Sequence, residues 1–197
     1  MATLSIGGKT LFTQSGSAEP VLSSDLTGTL GSGIVFPAGH IIQTVVNTYH
    51  SSESDAYSGT TAFEKCNNND SSYHWSGSIN NVKANSHVKV EMSFRVHCDN
   101  TGRQDVGYSL AIYRENTIIN IGSNTAFNSA NYIFHSGLSS GSNNYREQRV
   151  LNFLDTSPAT GTNNYYLGYI VYGSGTVNIS SAATGWPFQC ILQEISQ

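Results

Sequence analysis

One short stretch of the chain has the spacing of a catalytic serine motif. Residues 137–141, GLSSG, match the Gly-x-Ser-x-Gly pattern of a nucleophile elbow. An elbow needs a strand before its serine and a helix after it, because that sharp turn holds the hydroxyl at the end of a sheet. Here the match lies among Ser, Gly and Asn residues, and no helical pattern follows it. We therefore expect no catalytic residue at this position and no enzyme activity from the chain.

Histidines and cysteines are the residues most able to hold a metal ion. The 6 histidines form no His-x-His or His-x-x-x-His pair, and no Cys-x-x-Cys occurs. Zinc sites are usually built from such spacings, so we expect no metal and no other cofactor. His97 and Cys98 are adjacent on a predicted strand, where neighbouring side chains point to opposite faces. Cys98 is expected in the core as a small hydrophobic side chain.

The carboxylates have the placement of structural groups. Asp99, Asp105, Glu115 and Asp155 fall mostly at predicted turns. An acidic side chain at a turn accepts hydrogen bonds from nearby backbone N–H groups. Spacing alone assembles no acid/base pair from them. We interpret them as capping residues.

The clearest element in the sequence is a strand over residues 88–98. Apolar residues occupy each even position of this segment, and polar or charged residues occupy each odd position. Successive side chains of a strand point to opposite faces, so the strand has one buried and one wet face. Its buried face needs a second sheet to cover it.

The composition favours an all-β protein. Charged residues are only 11% of the 197 residues, and Gly, Ser, Asn and Thr are abundant. These residues are poor helix formers and good turn formers. The strand 41–49 is apolar on both faces in places, as expected of a strand between two covered faces. Further strands are predicted over residues 73–79, 108–114, 118–122, 150–155, 165–172, 176–179 and 188–195. The pattern predicts an antiparallel two-sheet sandwich over residues 39–197.

Residues 1–38 differ from the rest of the chain because their apolar residues are sparse. Two short extended pieces are joined by Gly7-Gly8. We interpret this segment as an extended N-terminal arm that is ordered only when it lies on another surface. A first hairpin of the main domain is the alternative. The candidate docking residues are its apolar side chains, namely Leu4, Ile6, Leu11, Phe12, Val21 and Leu22.

Charge and hydropathy exclude several classes of partner. The net charge of -4 argues against nucleic-acid binding, which needs a basic face. No run reaches the roughly 18 apolar residues of a membrane span, so we expect no membrane insertion. No basic segment followed by an apolar one opens the chain, so we expect no secretion signal. The 3 widely spaced cysteines favour reduced thiols over a disulfide framework.

Aromatic residues are the best candidates for exposed contacts. The sequence has 11 tyrosines, whose flat apolar ring and polar hydroxyl suit subunit interfaces and sugar-binding surfaces. About half are expected to fill the sandwich. Tyr132, Tyr145 and Trp186 lie near predicted loops and are the predicted surface contacts.

Several short motifs, in their order along the chain, resemble a group of virion proteins of tailed bacteriophages. The motifs are FPAGHIIQT at 36–44, the hairpin IYRENT at 112–117, NFLDTSPAT at 152–160 and ILQEI at 191–195. That group consists of small fibre or decoration proteins with a jelly-roll-like domain. The resemblance implies a non-enzymatic viral structural protein with a jelly-roll fold, assembled in the host cytoplasm and most often a homotrimer.

The resemblance leaves the place in the virion open. The N-terminal arm is short for a tail-fibre shaft, which favours a capsid decoration or head-fibre protein docked on the major capsid protein or another virion protein. The alternative is a tail-fibre module that binds a host-surface glycan through loops such as 51–69 and 136–145. A cellular carbohydrate-binding or TNF-like jelly roll is a third interpretation.

Overall fold

In the computed structural model the chain consists of two units, Met1–Phe36 and Pro37–Gln197. The structure describes residues 2–6, 9–15, 21–22, 37–49, 54–57, 62–66, 75–100, 106–121, 134–136, 143–173, 176–180 and 187–197. Their strands are β1 Ala2–Ile6, β2 Lys9–Gln14, β3 Val21–Leu22, β4 Ile41–Tyr49, β5 Ser54–Tyr57, β6 Glu64–Lys65, β7 Ser76–Val82, β8 His87–Asn100, β9 Val106–Arg114, β10 Thr117–Ile118, β11 Phe134–Ser136, β12 Asn143–Asp155, β13 Gly161–Gly173, β14 Thr176–Ser180 and β15 Phe188–Ile195.

The N-terminal unit contains its own antiparallel sheet, in the order β1-β2-β3. The two extended pieces predicted from the sequence are the paired strands β1 and β2, with a register shift between Leu4 and Ser5. The unit ends at Phe36, close to the boundary at residue 38 drawn from the sequence. That this segment docks on another surface stays a prediction.

The second unit is a sandwich of two antiparallel sheets with the strand order of a jelly roll. The first sheet runs β4-β15-β8-β12. On the same edge of β8 as β15, strand β14 pairs with the C-terminal half of β8, and β5 pairs with β14. The second sheet runs β7-β13-β9-β10, with β6 and β11 as short additions. Chain neighbours such as β7 and β8, β8 and β9, or β12 and β13 lie in opposite sheets, as in a double Greek key. The predicted all-β, jelly-roll-like fold class is confirmed.

Strand β8 is the centre of the first sheet and follows the predicted alternation. Its apolar side chains are at most 1% exposed from Val88 to Val96, and the polar side chains between them are half-buried. They belong to a core cluster to which both sheets contribute. In that core the Trp75 and Phe188 rings meet edge to face at 5.4 Å between centroids. The covering sheet that β8 requires is present.

The second sheet is buried on both faces along β9. Every side chain from Tyr108 to Tyr113 on β9 is buried, because a smaller apolar cluster covers the outer face of the sheet. Phe63 lies in that cluster, and its carbonyl accepts a hydrogen bond from the Tyr113 hydroxyl at 2.8 Å. Phe63, which lies within the predicted loop 51–69, therefore contributes to the cover of the sheet.

Strand bounds are predicted best where alternation is strong. Strands 41–49 and 188–195 have the predicted bounds, whereas β12 begins at Asn143 and is longer than predicted. Strands β5, β6 and β11 fall in predicted loops, because short or polar strands carry no apolar alternation. The expectation that 41–49 lies between two covered faces is wrong in this chain, because Ile41 is 47% and Val46 53% exposed.

Candidate functional site

The residues that could do chemistry lie only in part within the part of the chain that the structure describes. Residues 137–141, with the elbow match, lie outside the described residues. Within the described part of the chain, no group of three His, Cys, Asp or Glu side chains is close enough to hold a metal ion. In the same part, no helix is long and apolar enough to cross a membrane.

The described thiols are core residues. Cys66 and Cys190 are fully buried. Burial raises the pKa of Cys190 to about 12, so its thiol stays protonated at neutral pH. A protonated, inaccessible thiol is a poor nucleophile and a poor metal ligand. Cys98 lies on β8, and its side chain is outside the described residues.

Asp155 is the centre of a buried polar cluster that joins β9, β12 and β13. Its Oδ1 accepts hydrogen bonds from Arg114 Nη1 at 2.9 Å and from the Ser157 backbone N–H at 3.1 Å. Its Oδ2 accepts from Arg114 Nη1 at 2.8 Å and from the Tyr165 hydroxyl at 2.9 Å. Burial raises the pKa of Tyr165, and the charge of Asp155 raises it further. Asp155 is a capping residue, as predicted, and both of its oxygens have partners.

Tyr108 anchors a second polar cluster between the sheets, at the other end of the same strands. Its hydroxyl donates a hydrogen bond to Glu147 Oε1 on β12. Arg149 Nε donates to the same carboxylate and to the Tyr108 oxygen, the latter at 3.3 Å. Burial and the hydrogen bond to Glu147 raise the pKa of Tyr108. The tyrosine therefore stays neutral and acts as a link between β9 and β12.

A third cluster closes the opposite side of the sandwich around Glu194. This side chain is 0% exposed, and it accepts hydrogen bonds from the Lys83 backbone N–H at 2.6 Å and from Gln43 Nε2 at 2.7 Å. Gln43 Nε2 also donates to the Asn80 carbonyl at 2.8 Å. Strands β4, β15 and β7 are joined in this way, so Gln43 connects the two sheets at this side.

Large apolar side chains are exposed on one surface of the body. In the described part of the chain these are Ile41, Val46, Val150 and Leu154, at 47%, 53%, 49% and 43% exposure. They lie on β4 and β12, the strands on either side of β15 and β8. Their registers place all of them on the face of the first sheet that points away from the core, which we call the outer face. Lys89 and Glu91 of β8 face the same side between them, so the exposed apolar residues form two separate pairs, one at each edge of the sheet.

Sequence reasoning missed the outer face. An alternating strand shows that one of its faces is apolar, but not which apolar residues remain uncovered after the sheets pack. The only sequence signal is that β4 and β12 carry large apolar residues at neighbouring positions and so on both faces, as at Val45 and Val46 and at Phe153 and Leu154.

The residues predicted for docking lie at defined positions of the N-terminal sheet. Leu4, Phe12 and Leu22 form one row across β1, β2 and β3, because Phe12 pairs with both of the others. Val21 pairs with Thr13 and Ile6 with Lys9, and Leu11 falls at the register shift. The structure brings half of the set into one row.

Of the predicted surface contacts, only Tyr145 lies on a described strand. It belongs to β12 and pairs with Cys98. Tyr132 and Trp186 lie outside the described residues.

Comparison with known proteins identifies no family for this chain. No protein-family model and no characterised protein matches the sequence. A structure of infectious bursal disease virus strain Gt is 10% identical with a TM-score of 0.34, over 96% of this chain and 45% of that chain. The VP2 subviral particle of the same virus is 9% identical with a TM-score of 0.30, over 95% and 46%. This chain spans less than half the length of those viral chains.

Proposed function

We propose that the protein is a non-enzymatic structural component of a virion, acting as a trimeric capsid decoration or head-fibre protein. The observation that carries the proposal is the division between interior and surface. The buried carboxylates have hydrogen-bond partners inside the protein, Asp155 with Arg114 and Glu194 with Gln43, while large apolar side chains are exposed on the outer face. A protein built in this way works through its surfaces. The phage-like motifs in the sequence support the same function.

The N-terminal unit is the proposed attachment device to the major capsid protein or another virion protein. Its outer strands each present a backbone edge that could pair with a strand of a partner. Several N-terminal units in one oligomer raise the apparent affinity through effective concentration. A protein that binds only the assembled shell stabilises that shell by mass action.

Deletion of residues 1–36 tests attachment. The remaining body is expected to fold, because every described strand pair of the body lies within residues 37–197. It is expected to lose association with particles in a co-sedimentation assay. In the full chain, Phe12→Glu is compared with Ser15→Glu as its matched control. Phe12 lies in the central strand of the N-terminal sheet, and Ser15 lies beyond that strand. Full loading of the truncated body onto particles would contradict the proposal.

Copy number per virion separates decoration from receptor binding. A capsid decoration covers the head in hundreds of copies, on the order of the number of its symmetry-related sites. A tail-fibre module that binds a host-surface glycan occurs in far fewer copies. Quantitative gel densitometry against the major capsid protein measures the ratio, and a low ratio would favour the glycan-binding alternative.

A further inference from the structure

We propose that β12 pairs edge to edge with β12 of a second copy of this chain, across a twofold axis at Asn152. The pairing is antiparallel, so Val150 lies opposite the second copy's Leu154, and Leu151 lies opposite its Phe153. This contact is separate from attachment through the N-terminal unit, and in the proposed trimeric protein it joins a chain of one trimer to a chain of another.

The first observation is an open strand edge. Within the described residues β12 pairs with one strand only, β8, over Asn143 to Asp155 and without a register shift. A long regular edge presents a row of backbone N–H and C=O groups that another strand can bind. At the opposite edge of the first sheet, the Gln43 side chain of β4 is hydrogen-bonded to Asn80 of the second sheet.

The second observation is the composition of the open edge. Natural edge strands are usually protected by charges, proline or bulges. The segment from Val150 to Leu154 has none of these. The charged side chains of β12 flank it, where Glu147 and Arg149 bind Tyr108 and Asp155 binds Arg114. The segment between the two clusters is left apolar and open.

The third observation is incomplete burial on both faces of this segment. Val150 is 49% and Leu154 43% exposed on the outer face. Leu151 and Phe153 point inward but are only partly buried against the core. A strand placed beside β12 covers apolar surface on both faces at once, which favours pairing.

The pattern of the segment identifies a second copy as the occupant. Val-Leu-Asn-Phe-Leu has the same character in both directions about Asn152. A twofold contact requires a self-complementary surface, because the same segment meets itself in reverse. Here apolar residues meet apolar residues on each face, and the two Asn152 amides lie opposite each other. A carboxamide both donates and accepts hydrogen bonds, so two of them can bond to each other.

A cysteine at the axis provides the test. Residues directly opposite in antiparallel strands have Cβ atoms about 4.5–5.5 Å apart, near the separation that a disulfide spans. The full-length Asn152→Cys variant is expected to form a covalent dimer under mild oxidation. Gln148→Cys is the matched control, since it is exposed on the same face of β12. Its two copies would be more than about 20 Å apart in this register, so it is expected to form none. The native chain, with its own cysteines, sets the baseline.

A charge at the axis provides a second readout in solution. Like charges directly opposite across two strands repel, so Asn152→Asp is expected to weaken association at least about tenfold, and Gln148→Asp is not. Sedimentation equilibrium measures the masses against 21.2 kDa for one chain. Equal thermal unfolding of the two variants at high dilution shows that the fold is intact.

The possible results test the β12 pairing and the proposed function separately. A single-chain mass for the native protein, or equal crosslinking at residues 148 and 152, overturns it. A trimer without crosslinking at residue 152 overturns the twofold contact and leaves the proposed function standing. Crosslinking at residue 152 in a protein that does not bind particles supports the twofold contact and contradicts the proposed function.

Discussion

Gly39 shows at the scale of one residue how the body is closed at its chain ends. Its N–H donates to the Ser196 carbonyl at 2.8 Å, and the Ser196 N–H donates to the His40 carbonyl at 2.9 Å. The φ of Gly39 is 81°, in the left-handed region that a side chain disfavours. A Cβ at this position would meet nothing within 4 Å, so only the backbone opposes substitution.

We therefore expect Gly39→Ala to lower the free energy of unfolding by about 1 kcal/mol. Gly39→Asn is the matched control and should cost less, because asparagine tolerates positive φ. Chemical denaturation measures both. If both variants lower the free energy of unfolding equally, the presence of a side chain and not the backbone angle determines the loss.

Buried thiol and phenol groups set the alkaline limit of stability. Burial raises the pKa of Cys190 from 9.0 to about 12, and burial also raises the pKa values of Tyr108 and Tyr165. Above the unfolded pKa the unfolded chain loses protons that the folded chain keeps. The free energy of unfolding therefore stays level below pH 9.0 on account of these groups, and it falls as the pH rises further.

Cys190→Ala should remove one part of this fall. Between pH 9.0 and about 10 the native protein is expected to lose on the order of 1 kcal/mol per pH unit from Cys190. The variant is expected to show a shallower dependence in that window, measured by urea unfolding at several pH values. An identical slope in both proteins would rule out Cys190 as the source.

Among the elements, the cluster at Asp155 joins β12 of the first sheet to the paired strands β9 and β13 of the second through side chains. Arg114 lies on β9, Asp155 at the end of β12 and Tyr165 on β13. Asp155 is 4% exposed, so removing it leaves the guanidinium group without its charged partner, while Arg114 Nη1 keeps its hydrogen bond to the Ser157 carbonyl. Removing only the tyrosine hydroxyl leaves the ion pair in place.

Asp155→Ala is accordingly expected to destabilise the body by about 3 kcal/mol, as for the loss of one partner of a buried ion pair. Tyr165→Phe should cost about 1 kcal/mol, the value of one hydrogen bond. Unfolding in guanidinium chloride measures the change in the free energy of unfolding for both variants. The reverse order of the two costs would show that the hydroxyl and not the ion pair holds the strands.

The two polar clusters also define the segment proposed to pair between copies. Tyr108 and Arg114 are at opposite ends of the buried part of β9, and each binds the end of β12 that it faces. The side chains of β9 between them, Leu110 and Ile112, belong to the apolar core. The open apolar edge of β12 is thus a consequence of where the polar links lie.

At the scale of the whole molecule, the two units are independent in their strand pairing. Strands β1 to β3 pair only with one another, and in the described residues no strand of the body pairs with them. We expect the body to unfold at the same temperature in the full chain and after deletion of residues 1–36. Differential scanning calorimetry measures this. A clear drop in the melting temperature of the truncated chain would show that the N-terminal unit stabilises the body.

Strands whose side chains alternate could be predicted from the order of the amino acids. β8 and β15 were predictable because alternation is a local property of the chain, and so was the capping role of Asp155 beside a turn. The row of Leu4, Phe12 and Leu22 was not, since apolar residues alone do not fix a register.

Contacts between distant parts of the chain determine which strand faces stay exposed and which polar groups meet. Arg114 and Asp155 are 41 residues apart in the chain and 2.8 Å apart in the fold. Val150 and Leu154 have the same pattern as core residues, and they are exposed because the second sheet covers the other face of β12. Burial depends on what packs against a strand, and that depends on strands far away in the sequence.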